Sequence, residues 1–251
     1  MKAYTLEAAN AYIVDNLDRV NPQFKPDIHF SAPIGWINDP NGFVYFRGEY
    51  HLFYQYYPYG SFWGPMHWGH AKTKDFVSWE HLPVALAPDK DYDKDGCFSG
   101  SALVKDDTLW LMYTGHIVHE DGRVSQVQNI AYSTDGIHFE KIEENPVATG
   151  DILPPDLIAA DFRDPKLFEK DGHYYAVVAA KHKDERGTVV LLGADDLRNW
   201  HFESIFLKGE AHQGFMWECP DFFEVDGQAY ILVSPMRYQE TDHDFRNLNS
   251  S

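Results

Sequence analysis

The chain has 251 residues, 44% of them hydrophobic and 16% aromatic, enough to bury a substantial core and too apolar for disorder over most of its length. Its 21 Lys and Arg face 39 Asp and Glu, and the resulting formal charge of −18 repels phosphate backbones and anionic lipid, so nucleic acid and membrane are poor partners. No apolar run is long enough to span a bilayer, Glu7, Asp15 and Asp18 interrupt any secretory core, and only Cys97 and Cys219 supply thiols, so the sequence reads as a cytoplasmic protein with reduced cysteines.

In chain order, residues 5–20 read as an amphipathic helix, because Leu6, Ala9, Ile13, Leu17 and Val20 recur at near-helical spacing. Pro22 and Pro26 end it. Residues 1–30 are thus expected as a helix and lead-in to one large domain over 31–251.

From about residue 36 a strand pattern recurs at roughly sixty-residue intervals. One element is a turn followed by an aromatic strand: Arg47-Gly48 before Glu49–Tyr54, Asp106-Asp107 before Thr108–Tyr113, Asp171-Gly172 before His173–Val178, and Asp226-Gly227 before Gln228–Val233. A second element follows the first three copies, with an Asp-containing turn leading to an aromatic at Trp79, Phe139 and Trp200. Those three aromatics are expected to pack between sheets. Each unit supplies about four antiparallel strands, the content of a propeller blade. The fold class is therefore all-β, a β-propeller type of about three and a half blades. An open ring leaves bare strand edges, which points to a homo-oligomer or a complementing chain. The polar stretch Gln239–Asn247 reads as a tail.

In a propeller the inner strand of each blade lines a central channel. Here the inner strands are expected to begin near Asp39, Ser99, Asp164 and Glu218, which would be equivalent points around one axis. Taken alone, Asp39-Pro40, Arg163-Asp164 and Glu218-Cys219 are ordinary turn or ion-pair sequences. Three carboxylates in register favour catalysis, because burying like charges together is costly without a function.

The stretches Trp36-Ile37-Asn38-Asp39-Pro40-Asn41-Gly42, Phe162-Arg163-Asp164-Pro165 and Glu218-Cys219-Pro220 resemble the three signature motifs of the invertase and fructan-hydrolase family of glycoside hydrolases. Phe62–His70 and Gly96–Ser101 also match, and the similarity runs from about Asn21 to Pro235. The nearest resemblance is to bacterial sucrose and sucrose-6-phosphate hydrolases. It implies a five-bladed β-propeller, here lacking the end of blade four, the fifth blade and a C-terminal β-sandwich. It also implies a retaining β-fructofuranosidase with Asp39 as nucleophile, Glu218 as acid/base and Asp164 as transition-state stabiliser, the nucleophile and acid carboxyls lying about 5–5.5 Å apart. Asn38, Gln55, Trp63, Phe98, Ser99 and Arg163 are the implied fructose-pocket residues. Apolar neighbours Trp217 and Cys219 favour Glu218 as a proton donor.

The implied substrate is a small carbohydrate: sucrose, sucrose-6-phosphate or a fructo-oligosaccharide. Neither a metal nor another cofactor is expected, since His67 and His70 lack the spacing for a site on one strand face. Lys181–Gly187 is a candidate phosphate contact, read in preference as a solvated hairpin loop. Two other functions stay open: a fructosyltransferase using the same intermediate, and a non-catalytic carbohydrate-binding protein.

Overall fold

The computed structural model describes residues 4–26 and 28–238. The Gln239–Asn247 stretch lies outside the described residues. Helix α1 (Leu6–Asn16) is capped by Thr5, whose hydroxyl accepts from the Ala8 amide at 3.2 Å. It stops earlier than residue 20, giving way to a 3₁₀ turn at Leu17–Arg19. The Asn16 side chain takes the Tyr12 carbonyl at 2.8 Å, competing with the backbone ladder in the way that disfavours Asn inside helices. Ala9 is fully buried, and Leu6 and Ile13 pack with Tyr54, Tyr56 and Val84. Asn10 accepts from the Val84 amide at 2.9 Å, so the helix is fixed to the first sheet.

Strands β1 (Trp36–Phe46), β2 (Glu49–Tyr57), β3 (His67–Thr73) and β4 (Glu80–Leu86) form one antiparallel sheet in sequence order. The second sheet is β5 (Gly96–Lys105), β6 (Thr108–Val118), β7 (Val124–Ser133) and β8 (Glu140–Lys141). The third is β9 (Leu157–Lys170), β10 (His173–His182), β11 (Arg186–Ala194) and β12 (His201–Lys208), followed by the pair β13 (Met216–Val225) and β14 (Gln228–Met236). These are three four-stranded blades and the first two strands of a fourth, as the repeat predicts. Each inner strand, β1, β5, β9 and β13, packs against the next.

The inner hairpins close with both turn residues at positive φ: Arg47-Gly48, Asp106-Asp107, Asp171-Gly172 and Asp226-Gly227. That is the I′ geometry whose twist matches the strands. The second repeated element is an Asp-headed turn. Asp75 accepts from the amides of Val77 and Ser78, Asp135 from those of Ile137 and His138, and Asp196 from those of Arg198 and Asn199.

The core lies between blades. Phe53 and Trp68 of the first blade meet Leu111, Tyr113 and Phe139 of the second. Met112 and Ile130 of the second meet Phe162, Leu167 and Trp200 of the third. Val177 and Val189 of the third meet Trp217. Trp79 packs on Phe30, with ring centroids 5.0 Å apart. Phe139 and Trp200 therefore pack between blades as expected, whereas Trp79 packs against the lead-in and helix side of the first sheet. Burying one such large apolar side chain contributes about 1.5–3 kcal/mol. Gly42 (φ +52) has a reason of its own: a Cβ there would meet the Phe53 ring at 2.9 Å and Ala102 of the next blade at 3.3 Å, where β1 approaches β5.

Candidate active site

Each inner strand bulges at its motif. The β1 ladder skips between Ile37 and Pro40, β9 between Arg163 and Lys166, and β13 between Glu218 and Asp221, while β5 skips Ser99. Bulges re-aim side chains at the end of a sheet. They also refine the expected equivalence of 39, 164 and 218. Asp39 is the second residue of its bulge, Asp164 the first, and Glu218 the last paired residue before its own. Counted from the start of each two-residue bulge, the three acids are staggered by a residue each, and Pro40 follows its bulge whereas Pro165 and Pro220 stand inside theirs.

The backbone at two of these points is unusual. Asp164 (φ 63) and Cys219 (φ 49) both adopt left-handed conformations, each just before a proline. Such strain persists only where surrounding bonds hold it. The Asp164 amide donates to Thr114 Oγ1 at 2.9 Å, and the Cys219 amide donates to Asp164 Oδ2 at 3.0 Å. Thr114 in turn donates to Gln128 Oε1 at 3.0 Å, and Gln128 donates to the Phe162 carbonyl at 2.9 Å. Blades two, three and four are thereby pinned to one another at the motif.

Asp39 is oriented by a relay. Trp36 Nε1 donates to Asn38 Oδ1 at 3.0 Å, Asn38 Nδ2 reaches Gln55 Oε1 at 3.5 Å, Gln55 Nε2 donates to Ser99 Oγ at 2.7 Å, and Ser99 donates to Asp39 Oδ2 at 2.6 Å. Three of the expected pocket residues thus converge on one carboxylate oxygen. Among the described residues nothing donates to Asp39 Oδ1. Asn41, from the same motif, accepts from the Gly100 amide at 3.3 Å and ties β1 to β5.

Arg163, only 12% exposed, gathers the other acids: its Nη2 lies 2.9 Å from Glu218 Oε1, Nη1 3.1 Å from Asp161 and Nε 3.8 Å from Asp164. Of the two roles open to it, sugar donor or carboxylate partner, its contacts here are those of the partner. Burial pushes the Asp164 carboxyl up to about 6, against the pull of Arg163 and the Cys219 amide, with Glu218 and Asp39 pushing the same way as burial. Cys219 Sγ lies 3.7 Å from Oδ2 of both Asp39 and Asp164. Burial of that sulfur, followed by the charges of Asp164, Asp39 and Glu218, raises the thiol's pKa far above its usual range, although the residue as a whole keeps an exposed edge.

Trp63 is 54% exposed and meets Phe98 edge-on, with centroids 6.1 Å apart, while Phe98 stacks on His116 at 4.2 Å. Trp63 therefore presents a free face beside the Ser99 strand. A cavity of about 410 Å³ runs from Asp39, Ser99, Asp164 and Cys219 down between the inner strands to Lys166 and Asp221. The structure thus brings together Asp39, Asp164, Glu218, Asn38, Gln55, Ser99 and Arg163, with Trp63 and Phe98 alongside. His67 and His70 are instead fully buried, His70 stacked on Phe53 and 2.9 Å from the His51 ring nitrogen. Among the described residues no group of three or more His, Cys, Asp or Glu is arranged to hold a metal.

Sequence reasoning missed Thr114, Gln128 and Asp161 as supports. A signal existed for Thr114, a hydroxyl directly after the apolar run Leu109–Tyr113, but not for Gln128, which stands among the polar Gln126 and Asn129.

Carboxylates from three blades, gathered at the bulged ends of the inner strands beside an exposed aromatic, are the kind of grouping that glycosidic bond cleavage uses. The chain belongs to glycosyl hydrolase family 32: residues 29–249 match the family described as "Glycosyl hydrolases family 32 N-terminal domain". It is 41% identical over 246 residues to the sucrose-6-phosphate hydrolase of Escherichia coli, covering 96% of this chain and 50% of that protein. It is 44% identical over 230 residues to the raffinose invertase of Escherichia coli, covering 90% and 47%. The structure is similar to that of the Bombyx mori GH32 β-fructofuranosidase BmSUC1, with a TM-score of 0.87, 42% identity, and coverage of 96% of this chain and 50% of that one. The chain spans about half the length of these relatives.

Proposed function

We propose that this chain carries the catalytic centre of a retaining β-fructofuranosidase that cleaves terminal β-fructofuranosides such as sucrose or sucrose-6-phosphate and releases fructose. The observation that carries the reading is the convergence of Asp39, Asp164 and Glu218 through Ser99, Arg163 and the Cys219 amide. In this mechanism Asp39 Oδ1 attacks the anomeric carbon while Glu218 gives its proton to the leaving oxygen, so the glycosidic bond breaks as the fructosyl–enzyme ester forms. Glu218 then takes a proton from water, whose oxygen displaces Asp39. Asp164, beside Arg163, accepts hydrogen bonds from fructose hydroxyls as positive charge develops on the ring. Trp63 offers a stacking face to the sugar.

The names of the relatives support this substrate class, and the two unpaired cysteines suit a cytoplasmic setting. The catalytic unit is read over residues 31–251, with residues 1–30 as its packed lead-in. A homo-oligomer or complementing chain is proposed for the open side of blade four.

The deciding experiment measures fructose release by the full-length protein from sucrose and sucrose-6-phosphate. Asp39→Asn and Glu218→Gln are each expected to lower kcat by at least about 10³-fold. Wild-type rates in either variant would overturn the assignment. Long oligosaccharide products at high sucrose would move it to the transferase class.

A further inference from the structure

The hairpin at Lys181–Gly187 is largely self-neutralised. Asp184 lies 2.7 Å from His182, 3.1 Å from Arg186 and 2.9 Å from Lys208, leaving that tip little charge to offer an anion. One cation of the hairpin turns elsewhere. Lys181 Nζ sits 4.7 Å from the centroid of Phe215, and Arg237 lies over the same ring at 5.2 Å. Two cations on one ring, brought by β10, the residue before β13 and the residue after β14, form an unusual concentration of positive charge in a chain of net charge −18.

Its position gives it a use. The Phe215 amide donates to the Met236 carbonyl at 3.2 Å, and Met236 Sδ lies 3.9 Å from Arg163 Nη2, the same nitrogen that holds Glu218. Glu218 follows Phe215 by three residues, about 10 Å of extended chain. Arg237 is thus the chain neighbour of a residue, Met236, whose side chain touches the guanidinium that holds Glu218. Lys181 shares its charge with Glu185 at 2.9 Å. Arg237 is exposed, has no carboxylate within reach among the described residues, and is set by a left-handed backbone (φ 55).

The geometry points to Arg237, backed by Phe215 and Lys181, as the recognition site for a phosphomonoester on the leaving-group sugar. This rests on Glu218 being the acid that protonates the leaving oxygen, since the groups just outside Glu218 then face that sugar. A planar guanidinium matches two phosphate oxygens at once, and a charge-assisted pair of this kind discriminates by about tenfold or more against a neutral sugar. The apolar ring beneath holds the fork in place.

The test uses the full-length protein. The ratio of kcat/KM for sucrose-6-phosphate to that for sucrose is expected to fall at least about tenfold in Arg237→Ala, with an intermediate ratio in Arg237→Lys. Lys183→Ala, a change on the hairpin tip, is expected to leave the ratio as it is. Calorimetric titration gives a readout independent of turnover: glucose 6-phosphate is expected to bind at least about tenfold tighter than glucose, and Arg237→Ala to erase the difference. Equal affinity for the two sugars, or an unchanged ratio in Arg237→Ala, overturns the proposal. So does inorganic phosphate binding as tightly as glucose 6-phosphate, which would mark an ion site unconnected to the sugar. A glucose 6-phosphate preference lost in Arg237→Ala, with no fructose release from either substrate, supports this site and sinks the hydrolase reading.

Discussion

Asp164 holds its place among the carboxylates at an electrostatic cost to the fold. Its pKa is raised to about 6 in the folded chain, above an unfolded value of about 3.9, so the ionised form destabilises the fold. The penalty is full above about pH 6 and is released as pH falls from about 6 to about 4. Its size is about 3 kcal/mol for a shift of about two units, since the group is only 6% exposed. Asp164→Asn is therefore expected to raise the melting temperature at pH 7 and to flatten its rise between pH 6 and 4, while lowering kcat at least about 10²-fold. Thermal unfolding of both proteins across that pH range checks it. A variant less stable than wild type at pH 7 would show that bonding to Arg163 and Cys219 outweighs the desolvation. Asp39, Asp164 and Glu218 stood out in the sequence because they fall at matching places of the repeat and inside the family's motifs. Thr114 and Gln128 were not assigned, because their roles depend on a strand from another blade. The one-residue stagger of the acids was also hidden: each bulge sets two residues opposite one, and where the acid stands relative to its bulge is fixed only by pairing with the partner strand.

At the scale of elements, turns carry the repeat. Amides of Ser78 and Val77 hold the Asp75 carboxyl down to about 2. A depressed carboxyl stabilises the fold above its unfolded pKa and loses that contribution as pH falls from about 4 toward about 2. In the equivalent turn of blade two, Asp135→Ala is expected to cost about 1–2 kcal/mol for its two backbone hydrogen bonds, read as a lower urea midpoint. An unchanged midpoint would mean the turn stands without its Asp. A costlier device joins the loop entering blade two to β8. Lys141 donates to Asp93 and Asp89 at 2.6 Å and to the Ala87 carbonyl at 2.7 Å, and Tyr113 donates to Asp93 at 2.7 Å, with Asp93 fully buried. Lys141→Met leaves a buried carboxylate without its cation and is expected to cost about 3–5 kcal/mol, partly recovered in the Asp93→Asn, Lys141→Met double variant. Urea unfolding checks both, and a loss below about 1 kcal/mol would assign the cluster little structural weight. This network was not visible in the sequence, because Asp93 and Lys141 lie far apart in the chain and resemble ordinary surface charges. The hairpins were visible, since Asp-Gly and Arg-Gly turns fix their geometry locally.

Across the whole molecule, stability is shared between blades, because each apolar cluster takes side chains from two adjacent sheets. Blade four stands at the margin of that scheme. Its inner strand packs on blade three, but among the described residues no strand pairs with the outer edge of β14, where Leu232 is 59% exposed and Tyr230 48%. An unprotected edge with apolar side chains is a template for strand addition. The 251-residue chain expressed alone is therefore expected to associate, eluting above its 28.9 kDa monomer mass in size-exclusion chromatography with light scattering. Leu232→Lys, which places a charge on that edge strand, is expected to shift it toward monomer at equal concentration. A compact monomer from the unaltered chain would show that the edge is already covered, and association unchanged by Leu232→Lys would place the contact on another surface.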